Sequence, residues 1–134
     1  PSTRDVAKNK KRTCRVYVMK YKVPKNIQAT AKAAYEKNLA LPLAQRAAYK
    51  VEGKKKVMGT GMRTARKLMS GEVDDNQIIL MRAWFARHGK SPKEKQARKD
   101  KNSKAYIAWQ LWGGNAAQRF SEYHGKKIDE KNKK

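Results

Sequence analysis

The chain has 134 residues, a length that fits one domain able to bury a core without disulfide or metal staples. Its 34 Lys and Arg residues against 11 Asp and Glu give a formal net charge of +23, which favours a polyanionic partner, most commonly nucleic acid. The single Cys14 excludes an internal disulfide, and no apolar run reaches the roughly 18 residues of a membrane span, so we expect a soluble protein that is not secreted.

The N-terminal residues are predicted to form a basic arm and then an extended segment. Residues 1–13 hold five basic residues and one acid with almost nothing to bury, which is typical of a flexible arm that follows phosphates. Residues 14–23 are rich in β-branched and aromatic side chains, which favours an extended segment or a short edge strand. Because no second strand is predicted, we expect this segment to lie across the helices or to pair with another copy or another protein.

Two helices are predicted between Pro24 and Val51. Pro24 suits the first turn of a helix that runs to about Leu39. Its apolar ridge, with every fourth residue on one side, comprises Ile27, Ala31, Tyr35 and Leu39. Pro42 would open a second short helix over residues 42–51, which forms a helical hairpin with the first, and residues 53–61 (GKKKVMGTG) are predicted to be a loop.

The sequence TGMRTARKLM, residues 60–69, predicts a basic amphipathic helix. Its apolar side chains fall in one arc of a 3.6-residue helix and comprise Met62, Ala65, Leu68 and Met69. Arg63, Arg66 and Lys67 fall in the opposite arc. Ser and Gly at positions 70–71 would close the helix.

The stretch from Asp74 to His88 predicts a central, largely buried helix around which the fold is organised. Acids and Asn at its start offer N-caps, and an Arg-His-Gly sequence suits its end. Its partner is residues 105–112 (AYIAWQLW), where only Tyr106 and Gln110 face away from a wide apolar arc. These two helices are expected to form the core.

The C-terminal part is predicted to contain a basic loop, a short helix and a tail. Residues 89–104 hold seven basic and two acidic residues, which predicts a solvated loop with at most one helical turn at 94–98. After two glycines, Asn115 would cap a last short helix that reaches Tyr123 and ends at the next glycine. Residues 126–134 are predicted to be a disordered basic tail.

Residues 54–67 form the leading candidate for a binding site. A lysine run and a Gly-Thr-Gly turn lead into the N-terminus of a helix with a basic outer face, and N–H groups at a helix start suit phosphate. The spacing does not fit a nucleotide-binding P-loop, because Thr60 follows Gly59 where that motif needs Lys. We therefore expect contacts to backbone phosphates of DNA or RNA. The alternative is that the glycines only form a loop and the cations are only solvated.

No combination of residues predicts catalysis. The acids within residues 72–75 could bind Mg²⁺, but helix capping explains them more simply. Cys14, His88 and His124 are too far apart for a zinc spacing or a Cys/His pair, and His88 suits the end of a helix. We expect no enzyme, no metal and no cofactor.

The aromatic side chains divide into core residues and possible base-stacking residues. Each tryptophan lies in an apolar run at helical spacing, which favours the core for Trp84, Trp109 and Trp112. Tyrosines with polar or cationic neighbours are better candidates for stacking on bases, although an amphipathic surface Tyr is ordinary. These tyrosines are Tyr17, Tyr21 and Tyr106.

Residues 23–125 resemble a small uncharacterised domain of tailed-phage proteins found near head and packaging genes. The motifs that carry the resemblance are a WFARH helix, residues 84–88, and an IAWQLWGG helix, residues 107–114. The pattern expects an acid after the two glycines, and Asn115 stands here instead, so a role for that acid is not carried over. The resemblance implies a viral protein and no particular activity.

We predict an all-α fold: a compact bundle of about five short helices over residues 23–125, with an extended N-terminal segment and basic flexible arms at 1–22 and 126–134. The first functional hypothesis is a phage protein that binds nucleic acid with little sequence preference, and we expect DNA rather than RNA. We expect such a protein in the virion or in the host cytoplasm. Its phosphate contacts are assigned to Lys54, Lys55, Lys56, Arg63, Arg66, Lys67, Lys90, Lys93, Lys95, Arg98, Lys99, Lys8, Lys10, Lys11 and Arg12.

The second hypothesis is a minor structural virion protein that docks on capsid or portal proteins through residues 14–23. Three alternatives stay open: a lysine-rich surface that serves solubility, a cationic face on an anionic membrane, and an inhibitor of a host nucleic-acid machine.

Overall fold

A computed structural model of the protein describes residues 19–132. Within this range the chain is mostly helical, with six α-helices and four short strands. In chain order the elements are β1 (Lys20–Lys22), α1 (Lys25–Ala40), a 3₁₀ turn (Leu43–Gln45), β2 (Tyr49–Glu52), β3 (Lys55–Met58), α2 (Thr60–Met69), β4 (Glu72–Asp74), α3 (Asp75–Gly89), α4 (Pro92–Ala97), α5 (Lys104–Leu111) and α6 (Gly114–Asn132). The prediction of an all-α fold is therefore approximate, because β1–β4 and β2–β3 form two antiparallel two-stranded sheets.

The helices predicted from apolar periodicity are confirmed as α1, α2, α3 and α5. Side-chain caps define where two of them start: Asp74 accepts a hydrogen bond from the N–H of Gln77 at 2.8 Å, and Ser103 accepts one from Tyr106 at 3.1 Å. Each cap satisfies an N–H group that has no partner inside its helix. The start of α3 was predicted from its capping acid, whereas the cap of α5 at Ser103 was not.

The core is built where α1, α2, α3, α5 and α6 meet, and the tryptophans lie in it as predicted. Trp109 and Trp112 are buried, and Trp84 is half-buried. The rings of Trp84 and Trp112 stack with centroids 4.6 Å apart and planes 10° from parallel. Phe85 meets Trp109 edge to face at 4.8 Å. These aromatic contacts join α3 to α5.

The prediction that α3 is largely buried was too broad. One side is buried, through Gln77, Ile78, Met81 and Phe85. Ile79 and Leu80, on the other side, are 46% and 40% exposed. α3 packs mainly on α6, and the exposure of Ile79 and Leu80 places its other side at the surface of the bundle.

The extended segment does have a strand to pair with, contrary to the prediction. β1 is antiparallel to β4, with Tyr21 opposite Val73, and the N–H of Val23 donates to the carbonyl of Gly71 at 2.8 Å. β4 is three residues long and its acids were interpreted only as helix caps, so no local signal marked it as a strand. The predicted part of the segment before residue 19 lies outside the described residues.

The second predicted helix, residues 42–51, is wrong. Leu43–Gln45 form a 3₁₀ turn, and the chain then enters the β2–β3 hairpin, whose two-residue turn is Gly53-Lys54 with Gly53 at φ +62°. Leu43 and Val51, two apolar residues of this predicted helix, are exposed. The predicted loop at residues 53–61 is consequently β3 and the start of α2.

Asn38 explains why the chain leaves the helical path here. It is fully buried, its Nδ2 donates to the carbonyl of Ala47, and its Oδ1 accepts from the N–H of Ala47, both at 2.9 Å. The next residue, Ala48, has φ +58°, a left-handed conformation that turns the chain into β2. The α1 ridge follows Ile27, Ala31, Ala34 and Asn38, whereas the predicted Leu39 is exposed.

The C-terminal helix is longer than predicted. α6 runs from Gly114 to Asn132, so Gly125 lies inside it and residues 126–132 are helical; residues 133–134 are outside the described range. Ile128 is buried, and Arg82 of α3 lies against Gly125 and pairs with Asp129. The prediction of a disordered tail was based on its charge alone, and the charge gives no sign of the one buried apolar residue, Ile128.

The basic loop at residues 89–104 is also more ordered than predicted. Pro92–Ala97 form α4, with the Ser91 hydroxyl accepting from the N–H of Glu94. His88 Nδ1 lies 2.7 Å from Glu94 Oε1, which holds α4 against the end of α3. Within residues 19–132, every helix is too short or too polar to span a lipid bilayer.

Candidate nucleic-acid interface

The outer face of α2 carries three exposed cations on an otherwise buried helix. Met62, Ala65 and Leu68 are fully buried, whereas Arg63, Arg66 and Lys67 all project from the opposite side. The burial pattern thus follows the amphipathic division predicted from the sequence. Because α2 is fixed to the core along its whole inner face, the three cations share one firmly positioned surface.

Local hydrogen bonds orient two of these cations without neutralising them. Arg63 Nη1 donates to the carbonyl of Met58 at 2.8 Å, and Lys67 Nζ donates to Gln77 Oε1 at 3.3 Å. Within residues 19–132, none of the three α2 cations has a carboxylate oxygen within 4 Å. Their charge is therefore available to a polyanion.

Lys67 has the most acidic surroundings of the three. It lies beside a shallow depression of about 190 Å³ that Glu72 and Asp74 also line. Arg63 lies at the other end of the helix, beside the basic hairpin. We therefore expect the positive potential to be strongest at the N-terminal half of α2.

The β2–β3 hairpin extends the basic surface from the start of α2. Lys54, Lys55 and Lys56 are all exposed, and Lys55 lies opposite Glu52 in the antiparallel pair. The hairpin is tied to the helix by the N–H of Gly59, which donates to the carbonyl of Ala48 at 2.6 Å. The lysine run is thus attached directly to the α2 face.

The two glycines at the start of α2 allow close packing, which changes the interpretation of the Gly-Thr-Gly turn. A Cβ on Gly59 would lie 2.7 Å from the carbonyl oxygen of Ala48, and one on Gly61 would lie 2.8 Å from the Ala48 Cβ. Both glycines are buried. Because Ala48 fills this position, Gly59 and Gly61 do not form an open cradle of backbone N–H groups for a phosphate.

The second predicted group of cations lies around α4. Lys90, Lys93, Lys95 and Lys99 are exposed, whereas Arg98 is half-buried. The Arg98 guanidinium lies over the Trp109 ring at 4.0 Å and donates to the carbonyl of His88 at 3.1 Å. Arg98 thus has a structural task that the sequence did not reveal, and the four lysines remain as the solvent-facing cations of this group.

The tryptophan cluster links the α4 group to the start of α2. Arg98 covers Trp109, whose ring centroid is 5.8 Å from that of Trp84, and Trp84 stacks on Trp112. A Cβ on Gly61 would lie 3.3 Å from Trp112 Nε1. The tryptophan cluster thus lies against the buried side of α2, opposite the face that carries Arg63, Arg66 and Lys67. The N-terminal cations assigned to the site, Lys8, Lys10, Lys11 and Arg12, lie outside the described residues.

Within the described residues, the acids and histidines form no group of three that could hold a metal ion. Asp74 caps α3, and Asp75 Oδ1 is buried with no hydrogen-bond partner there. Burial first, and then the neighbouring Asp75, raises the pKa of Tyr21 to about 12. Burial, helped by the charge of Lys127, lowers the pKa of His124.

One feature of the surface that the sequence did not reveal is a cleft between α1 and α5, lined by Lys37, Lys101 and Tyr106. Tyr106 was predicted as a candidate for base stacking. Lys37 and Lys101 are far apart in sequence, and the packing of α1 on α5 brings them together beside it.

Comparison of the chain with protein-family models, with curated proteins and with solved structures finds no match in any of the three. The resemblance to a tailed-phage domain therefore stays a prediction.

Proposed function

We propose that this protein binds nucleic acid through backbone phosphates, with little sequence preference and without catalysis. The observation that carries the proposal is the outer face of α2, where Arg63, Arg66 and Lys67 are exposed, fixed to a buried helix and not paired with carboxylates of residues 19–132. The net charge of +23 supports a polyanionic partner.

The proposed interface is centred on α2 and extends over the hairpin lysines 54–56. Side chains of this kind release counterions from the nucleic acid, and phosphates carry no sequence information. The lysines of the α4 group and the N-terminal arm would add contacts around this centre. The long, flexible cationic side chains favour adaptable phosphate contacts over base readout.

Double-stranded DNA is the preferred partner in this proposal, with RNA as the alternative. A phage origin, and location in the virion or host cytoplasm, rest on the sequence resemblance alone. A firmly held helix face lined by cations suits a regular row of phosphates, which a duplex provides.

The test is binding of labelled duplexes of two unrelated sequences at about 100 mM salt, a concentration at which phosphate contacts still dominate. The variant Arg63→Glu/Arg66→Glu/Lys67→Glu should lose binding of both duplexes. The control is Arg119→Glu/Lys126→Glu/Lys131→Glu, which makes the same change in charge at exposed positions of α6, a helix packed mainly on α3.

The α6 control should retain most of the affinity, and circular dichroism should show both variants folded. Equal losses in the two variants would mean that only net charge matters and would overturn the assignment to α2. A strong preference for one of the two sequences would overturn the sequence-tolerant mode.

A second candidate function is a structural virion protein that docks on another protein. The observation that favours it is the outer side of α3, where Ile79 and Leu80 are exposed next to each other. The sequence favoured docking through an unpaired strand at residues 14–23. This reason for docking is weaker, because β1 already pairs with β4 along one edge. Stoichiometric presence in washed virus particles, without affinity for DNA, would favour this function over the first.

A further inference from the structure

The cleft between α1 and α5 has the size and lining of a small-molecule site. Its volume is about 410 Å³, which falls within the roughly 300–1,000 Å³ of such pockets. The small side chains of Ala29 and Ala33 leave room on the α1 side, and Tyr106 lines the α5 side. Buried Ala34 and Ile107 form an apolar floor. A flat ring can therefore enter beside Tyr106 without moving a helix.

The rim of the cleft is cationic. Lys37 and Lys101 are exposed, and Lys37 Nζ donates to the carbonyl of Lys101 at 2.9 Å. The same Nζ lies 6.0 Å from the centre of the Tyr106 ring, at the outer limit of a cation–π contact. Within the described residues, no carboxylate lines the cleft. The rim thus favours an anion attached to the ring that enters.

The lining of the cleft includes one polar group with both a donor and an acceptor, the amide of Gln110. The amide of Gln110 makes no hydrogen bond to other described residues, and the residue is half-buried. An amide offers one carbonyl oxygen and two N–H donors, so it can meet the edge of any base. Thr30 instead presents its methyl group, because its hydroxyl donates to the carbonyl of Asn26 at 2.9 Å.

We propose that this cleft binds one unstacked base of a single-stranded nucleic acid, with the base on the Tyr106 ring and its neighbouring phosphates on Lys37 and Lys101. An aromatic ring, flanking cations and an apolar floor are the elements by which proteins hold single strands. A paired base of a duplex cannot enter such a cleft. The inference rests on the proposed function only in taking nucleic acid as the partner, and it names single strands as a further substrate class.

The experiment measures anisotropy of a labelled thymidine oligonucleotide of about ten nucleotides, within the usual site size of single-strand binders. Tyr106→Ala should weaken binding roughly 5- to 150-fold, the usual effect of losing one stacked base. Tyr106→Phe should bind as the wild type does, because it keeps the ring. Duplex binding should be unchanged in both variants.

A second variant keeps the test independent of any effect of Tyr106→Ala on folding. Ala33 is exposed, so Ala33→Leu fills the cleft without disturbing the core, and it should weaken oligonucleotide binding to a similar extent. The matched control is Tyr123→Ala, because Tyr123 also lies beside a lysine, with Lys127 Nζ 4.5 Å from its ring centre, but on the exposed side of α6. This control should bind the oligonucleotide normally.

Wild-type affinity in both Tyr106→Ala and Ala33→Leu would overturn the proposal, while duplex binding through α2 would remain untouched. Duplex binding retained in the α2 variant, together with oligonucleotide binding lost in Tyr106→Ala and Ala33→Leu, would overturn the α2 assignment and leave the cleft proposal standing, so the two can fail separately. Thymidine monophosphate that binds as tightly as the oligonucleotide would also overturn it, because the site would then serve free nucleotides rather than a strand.

Discussion

Asn115 stands where the resemblance expects an acid, and the structure gives the position a concrete task. Its Oδ1 accepts a hydrogen bond from the indole N–H of Trp109 at 2.8 Å, which ties α6 to α5. A carboxylate could accept the same bond, and its charge would suit the first turn of α6.

We predict that Asn115→Ala lowers the free energy of unfolding by about 1–2 kcal/mol, because a largely buried N–H loses its acceptor. Asn115→Asp should remain within about 0.5 kcal/mol of the wild type, since it restores an acceptor. Urea unfolding of the three proteins measures both values. Equal loss in the two variants would show that the bond to Trp109 is not the reason for the effect.

The raised pKa of Tyr21 predicts how the free energy of unfolding changes at high pH. The pKa is 10.0 in an unfolded chain and about 12 here, so the folded protein holds the hydroxyl proton more tightly. The resulting stability is complete below pH 10 and is lost as the pH rises towards 12. In this window the free energy of unfolding should fall more steeply for the wild type than for Tyr21→Phe. Parallel curves for the two proteins from urea unfolding at stepped pH would contradict it.

Elements with a strong local signal were predictable, and elements made by non-local contacts were not. The α2 helix follows from the arc of Met62, Ala65 and Leu68 and the glycine after it. β1 and β4 each have three residues, and they become strands only because they pair across 50 residues of chain. Residues 42–51 had helical spacing, but the bonds of Asn38 to Ala47 override it.

The C-terminal extension of α6 gives a prediction at the scale of an element. Ile128→Ala should lower the free energy of unfolding by about 2 kcal/mol or more, because the side chain is only 6% exposed. Tyr123→Ala, on the same helix with a 58% exposed side chain, should change it by no more than about 0.5 kcal/mol. Thermal or urea unfolding compares them. A neutral Ile128→Ala would show that residues 126–132 do not pack on the domain.

Across the whole molecule, the positive charge of the proposed interface could be predicted from the sequence, but the layout of its side chains could not. The α2 cations share one face, as the spacing indicates. The Arg98 guanidinium, in contrast, lies over the Trp109 ring, and Ala48 packs against the two glycines at the start of α2. Lys37 lines the cleft between α1 and α5 because of the way α1 packs, and no local sequence pattern predicts that packing. The proposed binding therefore depends on where the positive charge lies and not only on how much there is.

The most direct measurement of that claim is the dependence of duplex DNA affinity on salt. Neutralising the α2 face with Arg63→Gln/Arg66→Gln/Lys67→Gln should reduce the slope of log affinity against log salt by about two to three, since each lost phosphate contact removes about 0.9. The same number of neutral substitutions on α6, Arg119→Gln/Lys126→Gln/Lys131→Gln, should leave the slope nearly unchanged. Identical slopes for the α2 variant and the wild type would contradict the account.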